Sequence, residues 1–306
     1  MSNAAPTLHK VAVFGVGLIG GSFALALKQA NAVAHVVGVG RSRASLERAL
    51  ELNIIDHIAD DAAQAVRDAD LVLVAAPVAQ TGAVLTSIAP HLDPDTVITD
   101  AGSTKTDVVA AARTALGDRI AQFVPGHPIA GRELNGPEAA LPDLYRGKKV
   151  VLTTLAENAP HHVERVAAAW RRCGAVIHTL SPEEHDRVFA SVSHLPHLLA
   201  FALVDDIAQK PHASVLFQYA ASGFRDFTRI AGSSPEMWRD ISLANRDALL
   251  GELDGYLRQL TRLRNLLVNR DGEQIEAAYA NARRAREDWQ RAIESAERPA
   301  KQETDQ

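Results

Sequence analysis

From Lys10 onward the chain alternates short apolar runs with amphipathic spacers. The runs KVAVFG, HVVGVG, LVLVAAP, TVITD, AQFVPG, KVVLTT and AVIHTL are nearly continuous in Val, Leu and Ile, the pattern of strands buried on both faces. Spacers of ~10–15 residues suit the crossover helices of βαβ units. Residues 8–180 therefore predict an α/β domain with a Rossmann-type, doubly wound parallel sheet. After SPEEHD the strand pattern stops. LLAFALVDDIAQ and LLGELDGYLRQLTRLRNLL carry apolar positions at three- and four-residue spacing, which predicts an all-α domain over 181–295. Ser181 can cap its first helix, with Pro182, Glu183 and Glu184 in the first turn. The polar residues 296–306 predict a disordered tail.

Several loops between these elements carry chemistry. VAVFGVGLIGGS sets Gly15, Gly17 and Gly20 in G-x-G-x-x-G register after a strand and before a helix, with Leu18 and Ile19 inside the loop. The first glycine serves the turn, the second admits a pyrophosphate and the third lets helix pack on strand, so this loop predicts a dinucleotide site. About 20 residues further on, an NAD site carries an acidic residue for the ribose hydroxyls. Here Gly40 is followed by Arg41, Ser42 and Arg43. A guanidinium and a hydroxyl suit a 2′-phosphate, which points to NADP over NAD; the competing reading is solvated arginines opening a helix.

Pro77, in LVLVAAPVAQT, offers a floor for the nicotinamide half, and VITDAGSTK offers Ser103 and Lys105. Ser103 fits a helix N-cap as well as it fits a functional site. In VPGHPIAGRE, His127 is clamped between Gly126 and Pro128 in what reads as an irregular loop. A neutral imidazole there can accept a proton or hydrogen bond from a hydroxyl while hydride leaves the same carbon.

In the helical half, SVSHLPHLLAFAL spaces Ser193 and His197 four apart, with Pro196 kinking the helix or marking its first turn. His194 and His197 lack the further partners a metal site needs, so no metal is expected. GFRDFTRIAGSSPEMWRD puts Arg225 and Arg229 at i and i+4, with Asp226 placed to orient Arg229. Two guanidiniums on an apolar-flanked face predict a clamp for a carboxylate-bearing small molecule.

Composition narrows the setting. A net charge of −5 over 306 residues argues against a nucleic-acid partner. One cysteine, Cys173, fits a reducing, cytoplasmic location, and no run of ~20 apolar residues suggests a membrane. The apolar faces of the long C-terminal helices exceed what one small domain covers, which predicts a homodimer built through them.

Together, GLIGGS, DAGSTK, GHPIAGRE, SHLPHLLAFAL and GFRDFTRIAGSSPEMW resemble the successive motifs of the bacterial prephenate/arogenate (cyclohexadienyl) dehydrogenases of tyrosine biosynthesis, from about Val11 to Arg291. The resemblance implies oxidative decarboxylation of a dicarboxylate, prephenate, to 4-hydroxyphenylpyruvate with reduction of NAD(P). Arogenate, or both substrates, is the alternative. It further implies that His127 accepts the hydrogen bond of the ring hydroxyl with Ser103 beside it, and that Arg229 holds the ring carboxylate. His197 and Ser193 would line the pocket, and Glu133 would match an acidic gate. The chain is too short for the regulatory or chorismate mutase domains some relatives carry. β-Hydroxyacid dehydrogenases have a similar layout but need a lysine in the helical half, where only Lys210 stands between Lys149 and Lys301. A non-enzymatic NADP-binding sensor would have no use for His127 and the arginines.

Overall fold

The computed structural model describes residues 7–132 and 134–297. Glu133 and the predicted tail from residue 298 lie outside the described residues. The strands are β1 (Leu8–Phe14), β2 (Val33–Val39), β3 (His57–Ile58), β4 (Leu71–Val74), β5 (Val97–Asp100), β6 (Phe123–Val124), β7 (Gly126–Pro128), β8 (Lys149–Leu152) and β9 (Val176–Thr179). Helices α1 (Leu18–Gln29), α2 (Arg43–Glu51), α3 (Ala62–Val66), α4 (Thr81–Ile88), α5 (Thr106–Leu116) and α6 (Pro160–Arg172) connect them. Beyond β9 come α7 (Pro182–Phe189), α8 (Leu195–Ala208), α9 (Ala213–Gln218), α10 (Ser222–Thr228), α11 (Pro235–Ala244), α12 (Arg246–Val268) and α13 (Gly272–Glu297).

The main sheet has six parallel strands in the order β3-β2-β1-β4-β5-β6, the order that leaves a crevice at the carboxyl ends of β1 and β4. Side-chain alternation explains why its strands are apolar throughout. Val11 and Val13 of β1 and Leu71 and Leu73 of β4 pack with Phe23, Leu27, Val166 and Trp170 from α1 and α6. Ala12, Phe14, Val72 and Val74 face the other way, onto Val66, Leu85, Ile88, Val108 and Leu116 of α3, α4 and α5. The last two predicted strands do not extend this sheet. β8 and β9 pair in parallel, and β8 pairs antiparallel with β7, as a separate three-stranded sheet.

His127 is consequently not in an irregular loop: it lies in β7, opposite Val151 of β8. Ser181 caps α7 as predicted, in a capping box with Glu184, and Pro182 stands in the first turn. A π-helical turn, Ala190–His194, joins α7 to α8, so Pro196 falls in the first turn of α8. This junction makes Pro182–Ala208 one 27-residue helical stretch that is long and apolar enough to cross a membrane by length and composition, contrary to the expectation that no such segment exists. Its amino-terminal turns carry Glu183, Glu184, His185, Asp186 and Arg187.

The chain packs as two compact units, one running to Leu249 and one beginning at Leu250. Every described residue of the site below belongs to the first. The second, the remainder of α12 with α13, exposes Leu257, Leu260, Leu267, Val268, Tyr279 and Trp289.

Candidate active site

The glycine loop joins β1 to α1, and each glycine meets a different constraint. Gly15 has φ of +100°, and a Cβ on it would lie 2.6 Å from the Ala75 carbonyl oxygen. A Cβ on Gly20 would strike the Gly15 carbonyl oxygen and stand 2.8 Å from Val13 Cγ1. Around Gly17, by contrast, a Cβ would meet nothing within 4 Å. Gly17 is the N-cap of α1 and supplies no side chain to its first-turn N–H groups. Open space in front of uncapped helix donors is what a pyrophosphate requires, so these residues fit a dinucleotide.

The neighbouring loops close on this one in sequence. The Ala75 carbonyl after β4 abuts Gly15, and a Cβ on Gly102, after β5, would lie 3.1 Å from Val78 Cγ1, one residue beyond Pro77. Pro77 is exposed. Val78 packs with Trp238 and Ile241 of α11 and with Phe201 of α8, and Trp238 stacks on His197 with ring centroids 3.5 Å apart. The His197 ring bonds back to the Ser193 carbonyl at 2.8 Å. Elements from both halves of the sequence thus reach the loop after β4.

After β2, Arg41 is exposed and has no ion pair or hydrogen bond among the described residues, while Arg43 pairs with Glu47 at 3.1 Å and Asp60 at 3.5 Å. Ser42 caps α2, accepting from the Ser45 N–H at 3.2 Å.

At the carboxyl end of β5 a buried ion pair organises the loop that carries His127. The Lys105 ammonium pairs with Asp100, both side chains being inaccessible to solvent, and donates to the Gly126 carbonyl at 2.8 Å. Asp100 accepts in addition from the N–H groups of Gly102 at 2.8 Å and Gly126 at 3.0 Å. The residue before His127 is therefore held at both its carbonyl and its N–H.

Ser103 is not a helix cap. α5 begins at Thr106 with no side-chain cap from its own segment; instead Asp186 of α7 accepts from the N–H groups of Lys105 and Thr106, each at 2.8 Å. A carboxylate is favoured at a helix amino terminus, and here it is supplied from 81 residues away. Asp186 also accepts from His185 Nδ1 at 2.8 Å. His185 Nε2 in turn stands 2.8 Å from His127 Nδ1, with the Phe189 ring tilted against both rings, 4.9 Å from His127 and 4.4 Å from His185 between centroids.

A third histidine, His194, is buried in the π-turn beside the Ser103 backbone. The amide of Asn245 bridges it to α7, donating to the Asp186 backbone carbonyl at 2.7 Å and contacting His194 Nδ1 at 3.1 Å. His194 Nε2 has no partner in hydrogen-bond geometry among the described residues.

These surroundings favour neutral imidazoles. His127 is held well below the usual histidine range, first by burial and then by His185, Lys105 and His194 nearby. Burial also lowers His185, against the pull of Asp186, and takes His194 down to about 4. Asp186 sits low despite burial because His185 and the α5 N–H groups bond its charged form.

Of the predicted residues, the structure draws Gly15, Gly20, Ser103, His127 and His197 into this chain of contacts, with Gly17 in the same loop as Gly15 and Pro77 next to Val78. Arg229 opens a 3₁₀ turn, Arg229–Gly232, that packs against α8. α10 has already ended at Thr228, so Arg225 and Arg229 do not share one helix. Arg225 is exposed and lies 3.5 Å from Asp226. Lys210 is half-exposed and paired with Asp206 at 2.7 Å, unlike a buried catalytic amine. Sequence reasoning missed His185, Asp186 and Asn245, and weighed His194 only as a metal ligand. The adjacent His-Asp in SPEEHD was the available signal, there used only to mark a helix start.

Residues 23–179 match the family model for the prephenate dehydrogenase nucleotide-binding domain, and 181–281 match that for the prephenate dehydrogenase dimerization domain. The chain is 37% identical to a cyclohexadienyl dehydrogenase of Zymomonas mobilis over 90% of this chain and 94% of that one. It is 38% identical to a prephenate dehydrogenase of Bacillus subtilis, over 88% and 73%. Among solved structures, prephenate dehydrogenase from A. aeolicus in complex with hydroxyphenyl propionate and NAD+ superposes with a TM-score of 0.87 at 35% identity, covering 93% of this chain and 99% of that one. Synechocystis arogenate dehydrogenase superposes with a TM-score of 0.77 at 28% identity, over 92% and 99%. The chain thus belongs to the prephenate dehydrogenase family and is an NAD(P)-dependent oxidoreductase that couples oxidation to decarboxylation.

Proposed function

We propose that this enzyme converts prephenate to 4-hydroxyphenylpyruvate and carbon dioxide, with His127 as the group that receives the substrate hydroxyl. The carrying observation is the seat of His127: its preceding residue is fixed at both backbone groups by the buried Lys105–Asp100 pair, and its ring meets His185 in surroundings that disfavour its charged form. When bound, the nicotinamide supplies a hydride acceptor. The hydroxyl proton is shared with the His127 ring as the C4–H bond breaks, and the oxygen keeps it once carbon dioxide has left and the ring is aromatic. Ser103 stands beside that hydroxyl.

Arg229 holds the ring carboxylate, with Arg225 nearby on the approach; His197 and Ser193 line the side-chain end, and Glu133 takes the role of the family's acidic gate by its AGRE motif. Residues 8–180 serve the nucleotide and 181–295 the substrate and the dimer, a division supported by the ranges of the two family models. Leu18 and Ile19 flank the pyrophosphate. NADP is preferred over NAD: Gly40 and not an acidic residue follows β2, Arg41 has no ion pair or hydrogen bond among the described residues, and Ser42 can still donate its hydroxyl. The exposed apolar residues of α12 and α13 are covered by a second copy, a homodimer, and the one buried thiol, Cys173, suits the cytoplasm.

Four assays test this reading: prephenate or arogenate, each with NADP or NAD, followed by absorbance of the reduced cofactor. Oxidation of prephenate, faster with NADP, is expected. No reduced cofactor with either substrate would overturn it, and faster turnover of arogenate would reassign the substrate. Light scattering should give the mass of a dimer, and a monomer would contradict the assignment of α12 and α13.

A further inference from the structure

His127 can act as a base only through a nitrogen that carries no proton, and two tautomers of a neutral ring are available. The hydrogen bonds behind it leave one. Asp186 is an acceptor only: its Oδ1 takes the Lys105 N–H and its Oδ2 the Thr106 N–H at the start of α5. His185 Nδ1, 2.8 Å from Asp186 Oδ1, must therefore carry a hydrogen. The His185 side chain is inaccessible to solvent and stands near the Lys105 ammonium. A buried neutral ring has one N–H, so His185 Nε2 is left with a lone pair. That lone pair lies 2.8 Å from His127 Nδ1. Two nitrogens at this separation need one hydrogen between them, and only His127 can provide it.

We infer that Asp186 and His185 are positioning residues that fix His127 as its Nδ1–H tautomer, so that Nε2 is the nitrogen offered to the substrate hydroxyl. The inference rests on the reading of His127 as the hydroxyl's acceptor. The relay has a second effect. As Nε2 takes on part of the proton, the ring's growing positive charge is stabilised along the His185–Asp186 line, without either residue touching substrate.

The direct test is ¹⁵N-histidine labelling of the full chain without ligands. Multiple-bond ¹H–¹⁵N correlation spectra then report which nitrogen of each ring is protonated, and loss of a signal in His127→Gln and in His185→Gln assigns the two rings. At pH 7.5 both should be protonated on Nδ1. His127 protonated on Nε2 overturns the inference even if every variant described next misfolds.

In Asp186→Asn a single amide oxygen replaces the two that take the Lys105, Thr106 and His185 donors, and with that oxygen on the Thr106 N–H the NH₂ group faces His185 Nδ1 and reverses both tautomers. Turnover should fall ~10²–10⁴-fold, while the substrate KM and nucleotide Kd stay within about threefold. A folded Asp186→Asn enzyme with turnover within about threefold of wild type would overturn the relay. His185→Gln keeps an oxygen for His127 Nδ1–H and should retain on the order of a tenth or more of wild-type turnover, whereas His185→Leu should fall with Asp186→Asn. Equal loss in the Gln and Leu variants would reduce His185 to a packing role. Wild-type protein that oxidises neither substrate refutes the functional reading alone, because the tautomers are measured without turnover.

Discussion

Replacing single glycines of the loop after β1 separates its packing duty from its binding duty. At Gly20 a methyl group would strike the Gly15 carbonyl oxygen and lie 2.8 Å from Val13 Cγ1. The nearer obstacle is backbone and cannot rotate away. Overpacking of this kind costs ~1–3 kcal/mol when side chains can yield, so Gly20→Ala should lose about 3 kcal/mol or more. For a unit of this size that is a fall in melting temperature of roughly 6–12 °C.

At Gly17 the same methyl meets nothing within 4 Å, and the backbone is already extended. Losing glycine at an N-cap costs up to ~1 kcal/mol, and the stiffer unfolded chain returns ~0.4–1 kcal/mol, so the melting temperature should hardly move. The methyl would nevertheless occupy the space before the first N–H groups of α1. Displacing an anion from one or two charge-assisted bonds forfeits about 1.5–3 kcal/mol, or ~10–150-fold in Kd. Thermal melting without ligand and calorimetric titration with NADP and NAD measure both quantities on the same samples. Gly17→Ala binding nucleotide within twofold of wild type would show that the cofactor does not lie against this turn. Unchanged melting of Gly20→Ala would refute the packing argument.

Two further outcomes follow from the buried charges and rings. Lys105→Met strands the Asp100 carboxylate, which keeps its two backbone N–H donors; the loss should sit near the lower end of the ~3–5 kcal/mol typical of a broken buried pair. Urea unfolding at fixed protein concentration checks it, and a loss under 1 kcal/mol would contradict it. His127, His185 and His194 titrate below their unfolded value of 6.5, so the unfolded chain takes up protons first as pH falls. Their contribution to stability is complete above pH 6.5 and declines below it, down to about 4 for His194. From His194 alone the fall between pH 7.5 and 5 is about 2 kcal/mol. Equal or greater stability at pH 5, with the ionic strength held constant, would overturn the neutral-ring assignment.

How far the sequence disclosed all this varies with the kind of signal. β4, β5, β6, β8 and β9 lie in the apolar runs, and β1 and β2 begin two residues before theirs. Burial on both faces leaves those runs nearly alike, however, so their division between two sheets is invisible until β7 pairs with β8. β3 and β7 have two and three residues, too short for any period, and Gly-His-Pro reads as turn chemistry although tertiary pairing makes it a strand. The glycine loop was legible because its constraints lie within six residues, Gly15 to Gly20. Ser103 was misread as a possible cap because the anion that caps α5 comes from α7. The His127–His185 contact spans 58 positions, and one chain offers no periodicity or spacing that would announce it.

In the proposed reaction His127 receives the hydroxyl of the substrate as hydride departs. His127→Asn is close in size, is polar, and lacks the basic nitrogen. Steady-state rates at saturating cofactor should show turnover reduced ~10²–10⁴-fold with the substrate KM within about threefold, the signature of a base lost from the chemical step and not from binding. Turnover within threefold of wild type in a folded His127→Asn enzyme would contradict it.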